Sequence, residues 1–362
     1  MSLKLLGLVS KLFIGVPAIP SIPFLFGKGK KLRWGTPPVP PSERVAPLST
    51  SRMSQDLVQK GKGFCTRLLV IAVLLTPMLL AGCLPDEEPD GKPAVVTSFY
   101  PMQYLAERIV GDKMAVENLV PAGIEPHDWE PSPQDITAIQ NARVFIYLGI
   151  LDAWADSAAA DLDTNRTIPL RAIDGQKLIG SQDEEITGED PHVWLSPKRY
   201  IQLADVIYSA LATADSKNAA FYKSNLDTLK RDLDALDIEF VTGLANCERT
   251  TIFTSHAAFG YLAESYGLKQ VAVSGISPDV EPSPARLREV LEQIKADKAT
   301  HIFFETLISP RVEETLAAEA GIRTMVLNPL EGLTDEEISA GDNYIKVMKS
   351  NLTNLKVALG CR

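Results

Sequence analysis

Histidine and cysteine are both scarce, four of each in 362 residues. No His-Glu-x-x-His helix is present and no serine nucleophile elbow, so the signatures of zinc peptidases and serine hydrolases are missing. Basic residues are in the minority. Of 36 Lys and Arg and 46 Asp and Glu, 11 and 2 fall within residues 1–82, which leaves 25 and 44 from Cys83 onward, a net of −19. So acidic a body argues against nucleic-acid binding; it suits capture of cations, and it equally suits plain solubility. The hydrophobic content of 45% is ordinary and predicts a sizeable core, and the length allows two domains.

The apolar run at 68–82 is too short for a comfortable membrane span, which needs roughly 20 residues. Lys60, Lys62 and Arg67 precede it, giving the charged and apolar regions of an export signal. The run ends Leu79-Leu80-Ala81-Gly82-Cys83, which resembles a bacterial lipobox. That resemblance implies cleavage before Cys83 and lipidation of its thiol, anchoring the protein to a membrane at about 0.8 kcal/mol per buried CH₂. Residues 53–82 are therefore read as a lipoprotein signal peptide and 83–93 as a polar tether. Residues 1–52, rich in Pro, Lys and Arg, make too long a leader, and Met53 is the better start.

Two cysteines, Cys247 and Cys361, remain in the body. An exported protein meets an oxidising compartment, so a disulfide is the default expectation and two free thiols the alternative. In the chain-entropy model so long a loop contributes roughly 4–5 kcal/mol.

The body alternates β-like apolar runs with amphipathic stretches, which predicts α/β layers. Strands are expected at 94–100, 115–121, 143–150 and 167–173, then at 250–254, 270–274, 300–305 and 323–328. Helices are expected near 102–110, 133–141 and 152–161, then near 257–266, 284–296, 310–320 and 335–359. No repeat of fixed period is visible. Between the halves, Phe221, Leu226, Leu229, Leu233, Leu236 and Phe240 fall mostly at helical spacing. One stiff helix of about 40 Å is expected there, at 1.5 Å per residue. The predicted architecture is thus an α/β lobe over 94–215, a linking helix over 216–245 and a second α/β lobe over 246–362, each lobe holding a small parallel-type sheet.

Three of the four histidines share a setting. His127 stands in Glu-Pro-His-Asp-Trp, His192 in Asp-Pro-His-Val-Trp and His256 in Thr-Ser-His-Ala-Ala. His127 and His256 follow predicted strands, and His192 precedes a predicted helix at Pro197. Ligands of open α/β sheets bind beyond the carboxyl ends of strands, and imidazole is the commonest transition-metal ligand. A cleft between the lobes would gather all three. A fourth ligand is expected from a strand end in the second lobe, where Glu331 and Glu305 are equally placed. His301 begins a strand, at the wrong end for such a site.

At these residues the chain resembles a known family. Ser98-Phe99-Tyr100-Pro101, Glu125-Pro126-His127-Asp128-Trp129, Asp190-Pro191-His192-Val193-Trp194, Thr254-Ser255-His256-Ala257-Ala258 and Asn328-Pro329-Leu330-Glu331-Gly332 are similar, in order, to segments of the cluster A-I solute-binding proteins. These are the zinc- and manganese-capturing components of bacterial ABC importers. The resemblance runs from about Val95 to Cys361. It implies two α/β lobes, a rigid linking helix and one metal site in the interlobe cleft. It also implies a monomeric extracytoplasmic receptor that delivers Zn²⁺ to an ABC permease and its ATPase. Manganese members have Glu at the third ligand position; His256 there resembles the zinc members, as expected if imidazole suits Zn²⁺ and carboxylates suit Mn²⁺. Family members often place an Asp where Asn328 stands, and the Asn-Pro-Leu-Glu pattern implies Glu331 as the fourth ligand. The long His-rich loop of many zinc members is replaced by the acidic stretch 181–190.

Three other roles compete with zinc delivery. A manganese receptor of the same family is one. An adhesin lipoprotein is another, a role sometimes assigned to relatives, although no partner motif is visible. A zinc hydrolase would need an open coordination position and a base such as Glu305; no enzymatic activity is expected.

Overall fold

The computed structural model describes residues 95–180 and 188–362. The leader, the lipobox with Cys83, the tether and most of the acidic stretch 181–190 lie outside the described residues.

Strands β1 (Val95–Thr97), β2 (Val116–Asn118), β3 (Val144–Tyr147) and β4 (Ile168–Arg171) form one parallel sheet in the order β2-β1-β3-β4. The two central strands, Val-Val-Thr and Val-Phe-Ile-Tyr, are buried along their whole length, as strands covered on both faces must be. Pro169 donates no backbone hydrogen bond and is tolerated because β4 lies at the sheet edge. Helices α1 (Tyr100–Val110), α2 (Pro133–Asn141) and α3 (Ala153–Ala160) connect the strands. Ser132 and Asp135 form a reciprocal capping box that starts α2 immediately after the His127 segment.

Helix α4 (Pro197–Ala214) leads into α5 (Ala219–Leu244), which at 26 residues spans about 39 Å. Its buried apolar residues are Tyr222, Leu226, Leu229, Leu233, Leu236, Phe240 and Leu244. Phe221, expected on that face, is 39% exposed. Tyr222 takes its place inward, donating its hydroxyl proton to Asp215 over 2.6 Å.

In the second half β5 (Thr251–Thr254) pairs with β6 (Lys269–Ala272), and β7 (His301–Phe304) with β8 (Arg323–Val326). These are two separate parallel ladders whose inner strands, β5 and β7, lie next to each other. Helices α6 (Gly260–Tyr266), α7 (Pro284–Ala296), α8 (Arg311–Ala320), α9 (Asp335–Ser339) and α10 (Tyr344–Leu359) surround them. The single helix expected over 335–359 is broken. Gly341 adopts a left-handed φ of 70°, and the Asn343 side chain caps a new helix by accepting from Lys346 N. Cys247 and Cys361, 114 residues apart, are joined by a disulfide that fastens the end of the chain beside the start of β5.

One apolar cluster runs through both halves, from Val95 and Ile146 through Leu229, Leu233 and Phe240 to Tyr344 and Leu355. The linking helix lies within that cluster, packing on α1, α4 and α10. Arg108 of α1 pairs with Asp232 at 2.6 Å, and Lys349 of α10 pairs with Glu239 at 2.7 Å. Separate clusters back each sheet: Val96, Phe145 and Tyr147 under α2 and α3, and Phe253, Val271 and Ile302 under α7 and α8. The two halves are therefore joined by a shared core as well as by the chain.

Candidate metal centre

The repeated acid-Pro-His pattern is a backbone device. The Glu125 carboxylate accepts from His127 N at 3.0 and 3.1 Å, and Asp190 Oδ1 accepts from His192 N at 2.9 Å. In each, an acid two residues before the histidine closes a tight turn around the proline. His127 thus projects from the segment between β2 and α2, and His192 from the segment before α4. His256 follows β5 directly, and Glu331 sits in the loop after β8.

That loop is shaped by Asn328. Its Oδ1 accepts from Leu330 N at 2.7 Å, and its Nδ2 donates to Thr306 at 3.0 Å and Glu337 at 2.9 Å. Leu330 is held at a φ of 58°, a conformation costly for a residue with a Cβ. The turn delivers Glu331 into the interior.

There the three imidazoles and the carboxylate meet. Glu331 Oε1 lies 3.2 Å from His127 Nε2, 3.0 Å from His192 Nε2 and 3.2 Å from His256 Nε2. One ligand-capable atom from each of the four residues falls within 4.8 Å of the others. The side chains of His192 and His256 are fully buried, Glu331 is 1% exposed and His127 7%. Glu305 does not join them. It accepts from His256 Nδ1 at 2.6 Å and from the His256 backbone N–H at 3.2 Å. Asp190 Oδ1 holds His192 Nδ1 in the same way at 2.8 Å. With Nδ1 committed to a carboxylate, Nε2 of each ring is directed at the centre, the arrangement that orients metal-binding histidines.

Electrostatics fit a site built for positive charge. Burial alone would lower the His192 and His256 pKa values, but the carboxylates around them reverse this. Asp190 and Glu331 hold His192 above its ordinary value, and Glu305 and Glu331 hold His256 well above. Burial alone would raise Glu331, yet the surrounding imidazoles hold it well below the usual carboxylate range. Glu125 is pushed up to about 8 by burial and by the nearby charge of Glu331. The carboxylates around His192 and His256 thus favour positive charge at the centre of the cluster. Three imidazole nitrogens and one carboxylate oxygen are a donor set that suits tetrahedral Zn²⁺.

Sequence reasoning did not assign Asp190 or Glu305 to the histidine rings. The acid two residues before His192 was visible, but Glu305 reaches His256 only through the contact of β5 with β7. His301 is 4% exposed at the start of β7, the opposite end from Glu305, with Nδ1 on Thr300 Oγ1 at 2.9 Å. It takes no part in the cluster.

Two α/β halves joined through a long helix, with polar side chains from both halves converging between them, define a two-lobed solute-binding protein. The chain belongs to the family described as zinc-uptake complex component A, periplasmic, whose sequence model matches residues 95–358. It is 39% identical over 302 residues to the zinc-binding lipoprotein AdcA of Streptococcus pneumoniae, covering 80% of this chain and 60% of the relative. It is 40% identical over 277 residues to the high-affinity zinc uptake system protein ZnuA of Bacillus subtilis, covering 73% of this chain and 87% of the relative. Among solved structures, the Zn(II)-bound ZnuA-like domain of S. pneumoniae AdcA superposes with a TM-score of 0.66 at 41% identity, covering 74% of this chain and 99% of that domain. The match thus spans about 60% of the longer AdcA relatives. The family is one of substrate-binding receptors acting outside the cytoplasm. No helix among the described residues is long and apolar enough to cross a membrane.

Proposed function

We propose that the protein captures Zn²⁺ outside the cytoplasm and delivers it to an ABC permease driven by its ATPase. His127, His192, His256 and Glu331 are the ligands. The observation that carries this reading is the convergence of their four donor atoms within 4.8 Å, drawn from both lobes and largely closed to solvent. Relatives named for zinc binding and zinc uptake support it.

The donor set favours Zn²⁺ over Mn²⁺, which prefers a harder, more carboxylate-rich site. A hydrolytic role is disfavoured. Four protein donors leave a tetrahedral ion no water to activate, and Glu305, the base such a role would need, is engaged by His256. The protein therefore acts as a receptor and not as an enzyme. Lipid on Cys83 holds it at the membrane as a monomer, with residues 83–93 as tether and 94–215 and 246–362 as lobes about the helix of 216–245.

Competition between Zn²⁺ and Mn²⁺ for the purified protein tests the reading. One tight equivalent of Zn²⁺, undisplaced by excess Mn²⁺, is the expected result. Preference for Mn²⁺, or no tight site, removes the zinc assignment.

A further inference from the structure

Gly260 opens helix α6 in the second lobe and has no role in the ligand set. A Cβ built on it would lie 2.5 Å from Asp190 Oδ2, closer than real Cβ contacts come. Asp190 belongs to the first lobe. Its carboxylate is 1% exposed and cannot simply swing aside, because Oδ1 holds both the backbone N–H and the ring Nδ1 of His192.

The neighbouring residue fastens the same segment. The Tyr261 hydroxyl donates to the Asp190 carbonyl at 2.8 Å and accepts from Ile179 N at 3.2 Å. The Arg199 guanidinium stacks on the Tyr261 ring at 4.5 Å, and Ser265 of the same helix meets Ser196 at 2.9 Å. Helix α6 is thus laid directly over the turn that presents His192.

We propose that Gly260 is a positioning residue for metal capture. By lacking a side chain it lets the second lobe's α6 press against the Asp190 carboxylate that aims the first lobe's His192. The inference rests on the zinc-receptor reading for its consequence, but the contact itself exists without metal. A β-carbon at this position pushes Asp190 away from His192 and frees the ring to turn. Alanine is ordinarily the better helix former, so any loss in Gly260→Ala reports the close approach and not the helix.

The test uses Gly260→Ala, Asp190→Ala and the double variant, with two readouts. One is Zn²⁺ affinity by competition. The other is the His192 ring Nδ1–H resonance in the metal-free protein. Gly260→Ala is expected to displace or abolish that resonance and to weaken Zn²⁺ binding ten- to a hundredfold, the usual loss when the partner of a ligating histidine is disturbed. Asp190→Ala should cost a similar factor. The double variant should bind no more weakly than Asp190→Ala alone, because the carboxylate that clashed is gone.

An unshifted His192 resonance with unchanged affinity in Gly260→Ala overturns the proposal. So does a Gly260→Ala loss that persists in full on the Asp190→Ala background. If Gly260→Ala does not fold but the double variant does, the proposal stands; if neither folds, Gly260 serves folding alone and the proposal fails. A wild-type protein that binds no Zn²⁺ would remove the zinc reading, while the His192 resonance would still decide the role of Gly260.

Discussion

The indole N–H of Trp194 donates to the carbonyl oxygen of Pro329 over 2.8 Å, and the bond is buried. Trp194 stands two residues after His192, and Pro329 two residues before Glu331. One hydrogen bond thus ties a first-lobe turn to a second-lobe loop, each carrying a residue of the cluster. The Tyr344 hydroxyl completes the tie by donating to the Trp194 carbonyl at 2.6 Å. The Trp194 ring also lies 5.1 Å from the His192 ring and 5.2 Å from that of Phe99.

Trp194→Phe keeps an aromatic ring but leaves the Pro329 carbonyl without its partner. An unsatisfied buried acceptor costs about 1–3 kcal/mol. Denaturant unfolding of the metal-free variant should show a loss in that range, and a Zn²⁺ titration should show weaker binding as the two loops lose their fixed relation. Unchanged values in both would mean that the indole fills space only.

The cluster makes opposite demands on pH with and without metal. In the metal-free protein His192 and His256 are raised above their ordinary value of 6.5, so the stability they contribute is fully present below that value and is lost as pH rises through their folded values. Glu331 is lowered below its ordinary 4.5, so its contribution is present above that value and is lost as pH falls through its folded value. Metal-free stability from this cluster should therefore be greatest between about 4.5 and about 6.5 and should fall toward alkaline pH. Denaturation midpoints measured across this range, with and without Glu331→Gln, check it.

Zinc affinity should run the other way. Ligation needs neutral imidazoles and an ionised carboxylate, so protons and Zn²⁺ compete. The affinity is expected to fall as the solution is acidified, and binding near neutral pH should release protons from the raised histidines. Calorimetry in buffers of different ionisation heat measures that release. Zinc binding without proton release would contradict the charge distribution described for the cluster.

Reduction of the Cys247–Cys361 bridge should destabilise the protein by roughly 2–5 kcal/mol. It closes a loop of 114 residues beside the start of β5, whereas His256 lies at the other end of that strand. Unfolding curves should therefore shift on reduction, while Zn²⁺ affinity measured on the folded protein stays the same.

The histidines were legible because each carries a local signature that the backbone uses: an acid and a proline before His127 and His192, a strand before His256. The choice between Glu331 and Glu305 was not legible from the residues alone, since both follow strands. The turn at Asn328 brings Glu331 against the three imidazoles and the contact of β5 with β7 sets Glu305 on His256 Nδ1, placements that no local pattern encodes. The linking helix was visible in its spacing, and strict spacing also favours Tyr222, four residues before Leu226, over Phe221, five before it; the hydroxyl of Tyr222 turns inward because Asp215 accepts its proton. The break at Gly341 was visible as a residue but not as a helix end, since glycine can also sit inside a helix at a penalty. The approach of Gly260 to Asp190 joins positions 70 residues apart and appears only once the lobes are packed.

X-ray absorption at the zinc edge of the one-to-one complex, beside that of Glu331→Ala, tests the central claim most directly. The account predicts four light donors near 2.0–2.2 Å, three with the scattering pattern of imidazole, and loss or replacement of the single oxygen donor in the variant. Fewer than three imidazoles, a fifth or sixth oxygen donor, or a spectrum unchanged by Glu331→Ala would contradict it.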